Sequence, residues 1–351
     1  MNKLSSDFKK KGERQIKQLS FIQKLVAFLG LEKIIEYIKD FIKHHFKWSE
    51  LIIALVVLTG FCFFQYYKYI PYNNTEHSLL RSWWYTAYFA DYKFLFHFVL
   101  YLTPLLFGYL ISSIVHKKWD NWKNPKFILL LIFGVAIFSF RSSITFYLND
   151  YFIGSNYEHI LWLKSILGTI LRGFFLFSCI WVYWFFVDRK NQPFYGFTLK
   201  NYNLKPYLIM LGVMIPLIIG ASFLPDFLTS YPRVSKFDSL SISNGEHLKY
   251  LLTFEFIYGL DFFSIEFFFR GFMILAFVGI VGPRAIIPMA YIYFVIHWGK
   301  PMGELISSFF GGTLLGIIAY YSRSIVGGII VHVGIAWMME IGAFVSKLFD
   351  R

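Results

Sequence analysis

The sequence predicts an all-α fold: a polytopic bundle of about eight or nine transmembrane helices behind a basic amphipathic amino-terminal segment. Three observations predict it. Charged residues make up only 16% of the chain against 57% hydrophobic and 22% aromatic, where an ordinary soluble domain holds about 25% charge. Several apolar runs reach the roughly 20 residues a helix needs to cross hydrocarbon. Basic connections alternate with connections that carry no lysine or arginine, as topology determinants do. The period-two alternation of a β-barrel is absent, so the spans are helices.

Residues 1–47 carry lysines at 3, 9, 10, 11, 17, 24, 33, 39, 43 and 47, interleaved with apolar residues such as Phe21, Leu25, Phe28, Ile34, Ile38 and Ile42. That spacing predicts one or two basic amphipathic helices lying on a membrane surface. Apolar segments follow at about 51–70, 94–116, 127–148, 160–187, 206–228, 247–281, 286–299, 303–321 and 325–348. The connections 117–126 and 188–205 are basic, whereas 149–159 is not. The amino terminus is therefore expected in the cytoplasm. The segment 247–281 is too long for one perpendicular span, and is either a tilted helix or broken near Gly259. The serine-rich stretch 229–246 divides the carboxyl-terminal half from what precedes it, giving units at 1–47, 48–228 and 229–351.

A formal charge of +13 would point to nucleic acid in a soluble protein. Here it sits in one tail and in alternate loops, so anionic lipid headgroups are the expected partner and nucleic acid is not. Cys62 and Cys179 fall inside predicted spans as small hydrophobes, which leaves no disulfide framework. The first apolar run begins only near Leu51, unlike a secretory signal, so the amino terminus is expected to be retained.

Ionisable residues inside spans are costly, about 2.5–3.5 kcal/mol each at the bilayer centre. Arg141, Lys164 and Arg172 in the middle spans read as structural. The denser set is Glu255, Asp261, Glu266, Arg270, His297, His332 and Glu340 in the last four. Glu266 and Arg270 stand at i and i+4, one face of a helix, and can pair. His297 closes an apolar run before a glycine and a proline, and His332 is flanked by small residues that permit close helix approach. A glutamate and two histidines on three helices can activate water and donate to a tetrahedral oxyanion. Glu266, His297 and His332 could equally hold a zinc ion with an open water position. Spacing does not separate the two.

These residues resemble the motifs of the CAAX-protease and bacteriocin-processing (CPBP, or Abi) intramembrane proteases, EExxxR, FxxxH and HxxxN/D on successive helices. IEFFFR at 265–270, YFVIH at 293–297 and HVGIA at 332–336 are similar to the three in order. The resemblance covers about residues 245–348. It departs at Ile265, where the family has its first glutamate, at Ala336, where it has asparagine or aspartate, and mildly at Tyr293 for phenylalanine. It implies that Glu266 is the second glutamate, Arg270 the arginine, His297 the histidine that works with the base, and His332 the oxyanion-side histidine. Asp261 and Glu340 lie four residues from Ile265 and Ala336. One helical turn of about 5.4 Å could thus let each supply a displaced carboxylate through water.

The expectation is an intramembrane endopeptidase acting on a membrane-associated peptide or protein in a bacterial inner (plasma) membrane. Its catalytic residues would be Glu266, His297 and His332, supported by Arg270, Asp261 and Glu340. Ile265 and Ala336 support a second reading, a catalytically inactive scaffold or regulator of the same fold. An ion-coupled transporter would use the same acids as a relay, against which the lack of an inverted repeat counts.

Overall fold

The structure, a computed structural model, describes residues 29–66, 92–152, 158–199, 203–235 and 247–349, with residues 26, 68–69, 77–78 and 237. The lysines expected on a surface helix at 3–24 lie outside the described residues, as does most of the 229–246 linker.

Helix α1 (Glu32–His44) opens the described chain. Ile34 and Phe41 recur on one buried face, with an acidic residue in the first turn and basic ones in the last, the signs that favour a helix dipole. The chain bends by 99° into α2 (Trp48–Tyr66). Three long helices follow: α3 (Lys93–His116), α4 (Pro125–Tyr151) and α5 (Glu158–Tyr183), the last continued by a π-helical turn at Trp184–Asp188. A two-residue antiparallel pairing of β1 (Lys68–Tyr69) with β2 (His77–Ser78) is the only extended structure among the described residues.

Then come α6 (Lys205–Ala221), the short α7 (Pro225–Ser230) and α8 (His247–Glu266), which passes into a π-helical stretch at Phe267–Ala276. The short α9 (Val278–Val281), α10 (Ile286–Val295), α11 (Met302–Ser322) and α12 (Val326–Phe349) complete the bundle. Among the described residues, six helical segments are long and apolar enough to cross a membrane, or seven if the bent α1–α2 pair counts as one span. The chain is an integral membrane protein.

That count is below the expected eight or nine for two physical reasons. The predicted span 206–228 divides, because α6 ends at Ala221 and a separate turn of helix starts at Pro225. The segments 247–281 and 286–299 form one apolar path, Leu248–Val295. Helix α8 runs unbroken through Gly259, so the break expected there is absent. That glycine instead makes room for a neighbour: a Cβ would come within 2.9 Å of the Trp337 ring on α12. The chain turns only later, at Gly282, whose φ of +60° suits glycine. All ten residues of α10 are buried, and at roughly 15 Å it is too short to cross hydrocarbon alone.

The core sits around the π-helical stretch. Phe267, Phe268, Phe269 and Phe272 are essentially inaccessible and pack against Phe138 of α4, Tyr195 and Tyr293. The loop after α5 is pressed onto this stretch from outside. Buried Asp188 accepts hydrogen bonds from Lys126 Nζ (2.5 Å), the Tyr195 hydroxyl (2.6 Å) and Gln192 Nε2 (3.1 Å). These bonds hold the backbone carbonyl of Tyr195 against Gly271, where a Cβ would lie 3.0 Å from that oxygen. Gly271, directly after Arg270, is thus what lets the loop approach.

Candidate active site

Glu266 ends α8, and the wider coil that follows still places Arg270 beside it. Arg270 Nη1 donates to Glu266 Oε1 at 2.6 Å, and both residues are 0% exposed. Two opposite charges in an apolar interior must hold each other, because either one left alone would bear its full desolvation cost. Arg270 also lies over the ring of Tyr293 on α10, 4.2 Å from its centre.

A third helix completes the centre. His332 of α12 brings Nδ1 to 2.8 Å from the same carboxylate oxygen. A carboxylate only accepts, so Nδ1 carries the proton and Nε2 of a neutral ring is an acceptor. That nitrogen meets the Tyr293 hydroxyl at 3.1 Å. Phe262, one turn before Glu266, sets its ring edge-on to His332 with centroids 4.7 Å apart. Gly328 makes the approach of α12 possible, since a Cβ there would be 2.6 Å from Glu266 Oε2. That second oxygen accepts no hydrogen bond from the described residues.

His297, just past α10, joins the group through Tyr293. Its Nδ1 donates to the Tyr293 carbonyl oxygen at 2.6 Å, and the two rings are 4.8 Å apart. The carbonyl fixes the tautomer, leaving Nε2 with a free lone pair. The centre therefore reads in order Arg270, Glu266, His332, Tyr293, His297, across α8, α12 and α10. Tyr293 is the member that sequence reasoning undervalued: its hydroxyl links one histidine and its carbonyl orients the other. The signal was present in the tyrosine that replaces phenylalanine in the second motif.

The remaining candidates lie apart. Asp261 accepts from Arg141 Nη2 at 2.5 Å and from Arg172 Nη2 at 3.2 Å, and Arg172 also bonds Thr145. The two structural arginines of the middle spans are thus the partners of Asp261. A cavity of about 270 Å³ beside it is lined by Arg172, Arg233 and Tyr258 among others, and by none of the motif residues. Glu340 accepts from the Arg233 backbone N–H at 2.7 Å, and Trp337 ties the same region to the Glu255 carbonyl. Ile265 packs within the apolar core, and Ala336 is 2% exposed.

Zinc does not fit. Among the described residues, no three or more histidines, cysteines or acids are grouped so as to hold a metal ion. The hydrogen bonds agree, because both nitrogens of His332 and one oxygen of Glu266 already face protein partners.

The fold and this centre define a polytopic helical membrane protein with a buried acid, arginine and histidines gathered in its carboxyl-terminal half. Residues 248–338, roughly a quarter of the chain, match the family model described as type II CAAX prenyl endopeptidase Rce1-like. The match spans all three motifs and supports a CPBP family intramembrane protease. Comparison with curated proteins and with solved structures found no match for the chain.

Proposed function

We propose that the unit from residue 229 onward is an intramembrane endopeptidase that cleaves a membrane-associated peptide or protein. The observation that carries this reading is the hydrogen-bonded series from Arg270 through Glu266 and His332 to Tyr293, contributed by three helices.

Arg270 is the buried counter-charge of Glu266. Glu266 Oε2, the oxygen with no hydrogen bond, is the general base that takes a proton from water. His297 Nε2 is the second acceptor that aligns this water. The water oxygen adds to the scissile carbonyl carbon, and the carbonyl π electrons move to its oxygen. The Tyr293 hydroxyl has one proton, which faces His332 Nε2 in the resting centre; rotation about its C–O bond turns that proton to the developing oxyanion. Collapse of the intermediate re-forms the carbonyl and breaks the C–N bond, and the proton held by Glu266 passes to the leaving amine.

The upstream helices, residues 48–228, brace this unit through α3 and α4. The amino terminus lies in the cytoplasm of a bacterial cell, with its lysines against anionic headgroups. The test is cleavage of a membrane-anchored peptide by purified protein and by Glu266→Ala, His297→Ala and His332→Ala. Loss in all three is expected. Undiminished cleavage in all three folded variants would remove the peptidase reading and leave a scaffold of the same fold.

A further inference from the structure

Far along the chain from the motif centre, the elbow between α1 and α2 encloses a second polar space. A cavity of about 320 Å³ is lined by His44 and His45 at the end of α1, His116 and Lys118 at the end of α3, and Arg284 in the turn after α9. No acid is in the lining. Two nearby carboxylates are already engaged, Asp40 by His44 Nδ1 (2.9 Å) and the Tyr321 hydroxyl (2.7 Å), and Glu50 by His116 Nε2 (3.1 Å), while exposed Asp120 adds one opposing charge. The positive φ of Gly282 turns the chain so that Arg284 reaches this space, where its Nη1 bonds the Lys118 carbonyl at 3.2 Å.

The setting fixes the depth. Helix α1 leaves the α2 axis at 99°, so one helix runs along the surface and the other enters it. Trp48 and Trp119, 72% and 48% exposed, flank the elbow as interfacial tryptophans do. Ile42 and Ile52 carry the exposed apolar surface on either side. With α1 along the membrane surface, a cavity carrying two fixed charges and three imidazoles would lie at the depth of headgroup phosphates.

We propose that this cavity is a phosphate-binding site that takes the headgroup of an anionic phospholipid, with Lys118 and Arg284 as its permanent cations. The inference is independent of the peptidase reading. The groups that set its charge are His44, His45 and Asp40 of α1, Glu50 of α2, and His116 of α3 with Lys118, Asp120 and Arg284. Burial holds the His45 imidazole below its usual pKa, and a bound phosphate would draw a proton onto it.

The experiment places the full chain in nanodiscs of phosphatidylcholine with or without phosphatidic acid and counts retained lipids by native mass spectrometry. The unsubstituted protein is expected to retain phosphatidic acid selectively. Lys118→Gln and Arg284→Gln should each weaken that retention about fivefold, with unfolding temperature and peptide cleavage unchanged. Inorganic phosphate added to the discs that contain phosphatidic acid separates the two sources. Failure to compete at comparable concentration supports the lipid, whereas competition that depends on Lys118 and Arg284 overturns the lipid in favour of a free phosphate. Equal retention by the unsubstituted protein and the Lys118→Gln/Arg284→Gln double variant overturns the site.

Discussion

His332 Nδ1 lies 2.8 Å from Glu266 Oε1, joining residues 66 positions apart in sequence. Arg270 reaches that same oxygen from one turn further along its own helix. One carboxylate oxygen thus has two donors and the other, among the described residues, has none.

Removing the carboxylate leaves a buried guanidinium without its counter-charge. Glu266→Gln is expected to abolish cleavage and to cost about 3–5 kcal/mol in stability, read as a lowered unfolding temperature in detergent. Glu266→Leu combined with Arg270→Met should recover most of that stability and none of the cleavage. Recovery of cleavage in the double variant would show that the pair only fastens helices.

Tyr293→Phe deletes one hydroxyl and keeps the ring under Arg270. Because the carbonyl that orients His297 belongs to the backbone, only the link to His332 is lost. Cleavage should fall about 100-fold, the usual scale for one oxyanion donor, with KM and unfolding temperature little changed. Full activity would assign oxyanion donation to another group, since phenylalanine is the residue found there in the resembling motif.

Much of this centre was legible in the sequence, for reasons that differ residue by residue. The Glu266–Arg270 pair follows from helical spacing alone, because i and i+4 share a face. The placement of His332 against Glu266 needed the order of the three motifs. Tyr293 reads in the sequence only as a mild departure from phenylalanine, because an aromatic residue in an apolar run reads as core and its hydroxyl finds a use only once α12 is packed. Asp261 shows the opposite limit. Its partner Arg141 is 120 positions away, and no local pattern distinguishes an acid that pairs with a remote arginine from one that serves the neighbouring site. The span count suffered likewise, since hydropathy does not report that α10 is a short buried helix.

Gly328 lies one turn before His332 and faces Glu266 Oε2. Gly328→Ala would put a methyl 2.6 Å from that oxygen, closer than contact distance, so either the carboxylate or α12 must move. Cleavage is expected to drop at least tenfold, with a small loss of stability. Gly327→Ala is no control, because its own Cβ would collide with the Tyr207 ring. Gly279→Ala meets nothing within 4 Å and should leave cleavage intact. Equal activity in the Gly328 and Gly279 variants would mean that Oε2 is not the working oxygen.

Asp261 separates two accounts of the missing first glutamate. As the shared partner of Arg141 and Arg172, it is a structural counter-charge, and Asp261→Asn should lower stability by about 3 kcal/mol or more by stranding two guanidiniums. Cleavage per folded molecule should then be unchanged at temperatures well below unfolding. As a displaced base acting through water, it would instead be needed for turnover, and Asp261→Asn would suppress kcat in protein that still unfolds at its usual temperature. The 2.5 Å bond from Arg141 to Oδ1 and the 3.2 Å bond from Arg172 to Oδ2 favour the first outcome, because each carboxylate oxygen already accepts from a guanidinium. Measuring unfolding temperature and kcat on the same preparation decides between them.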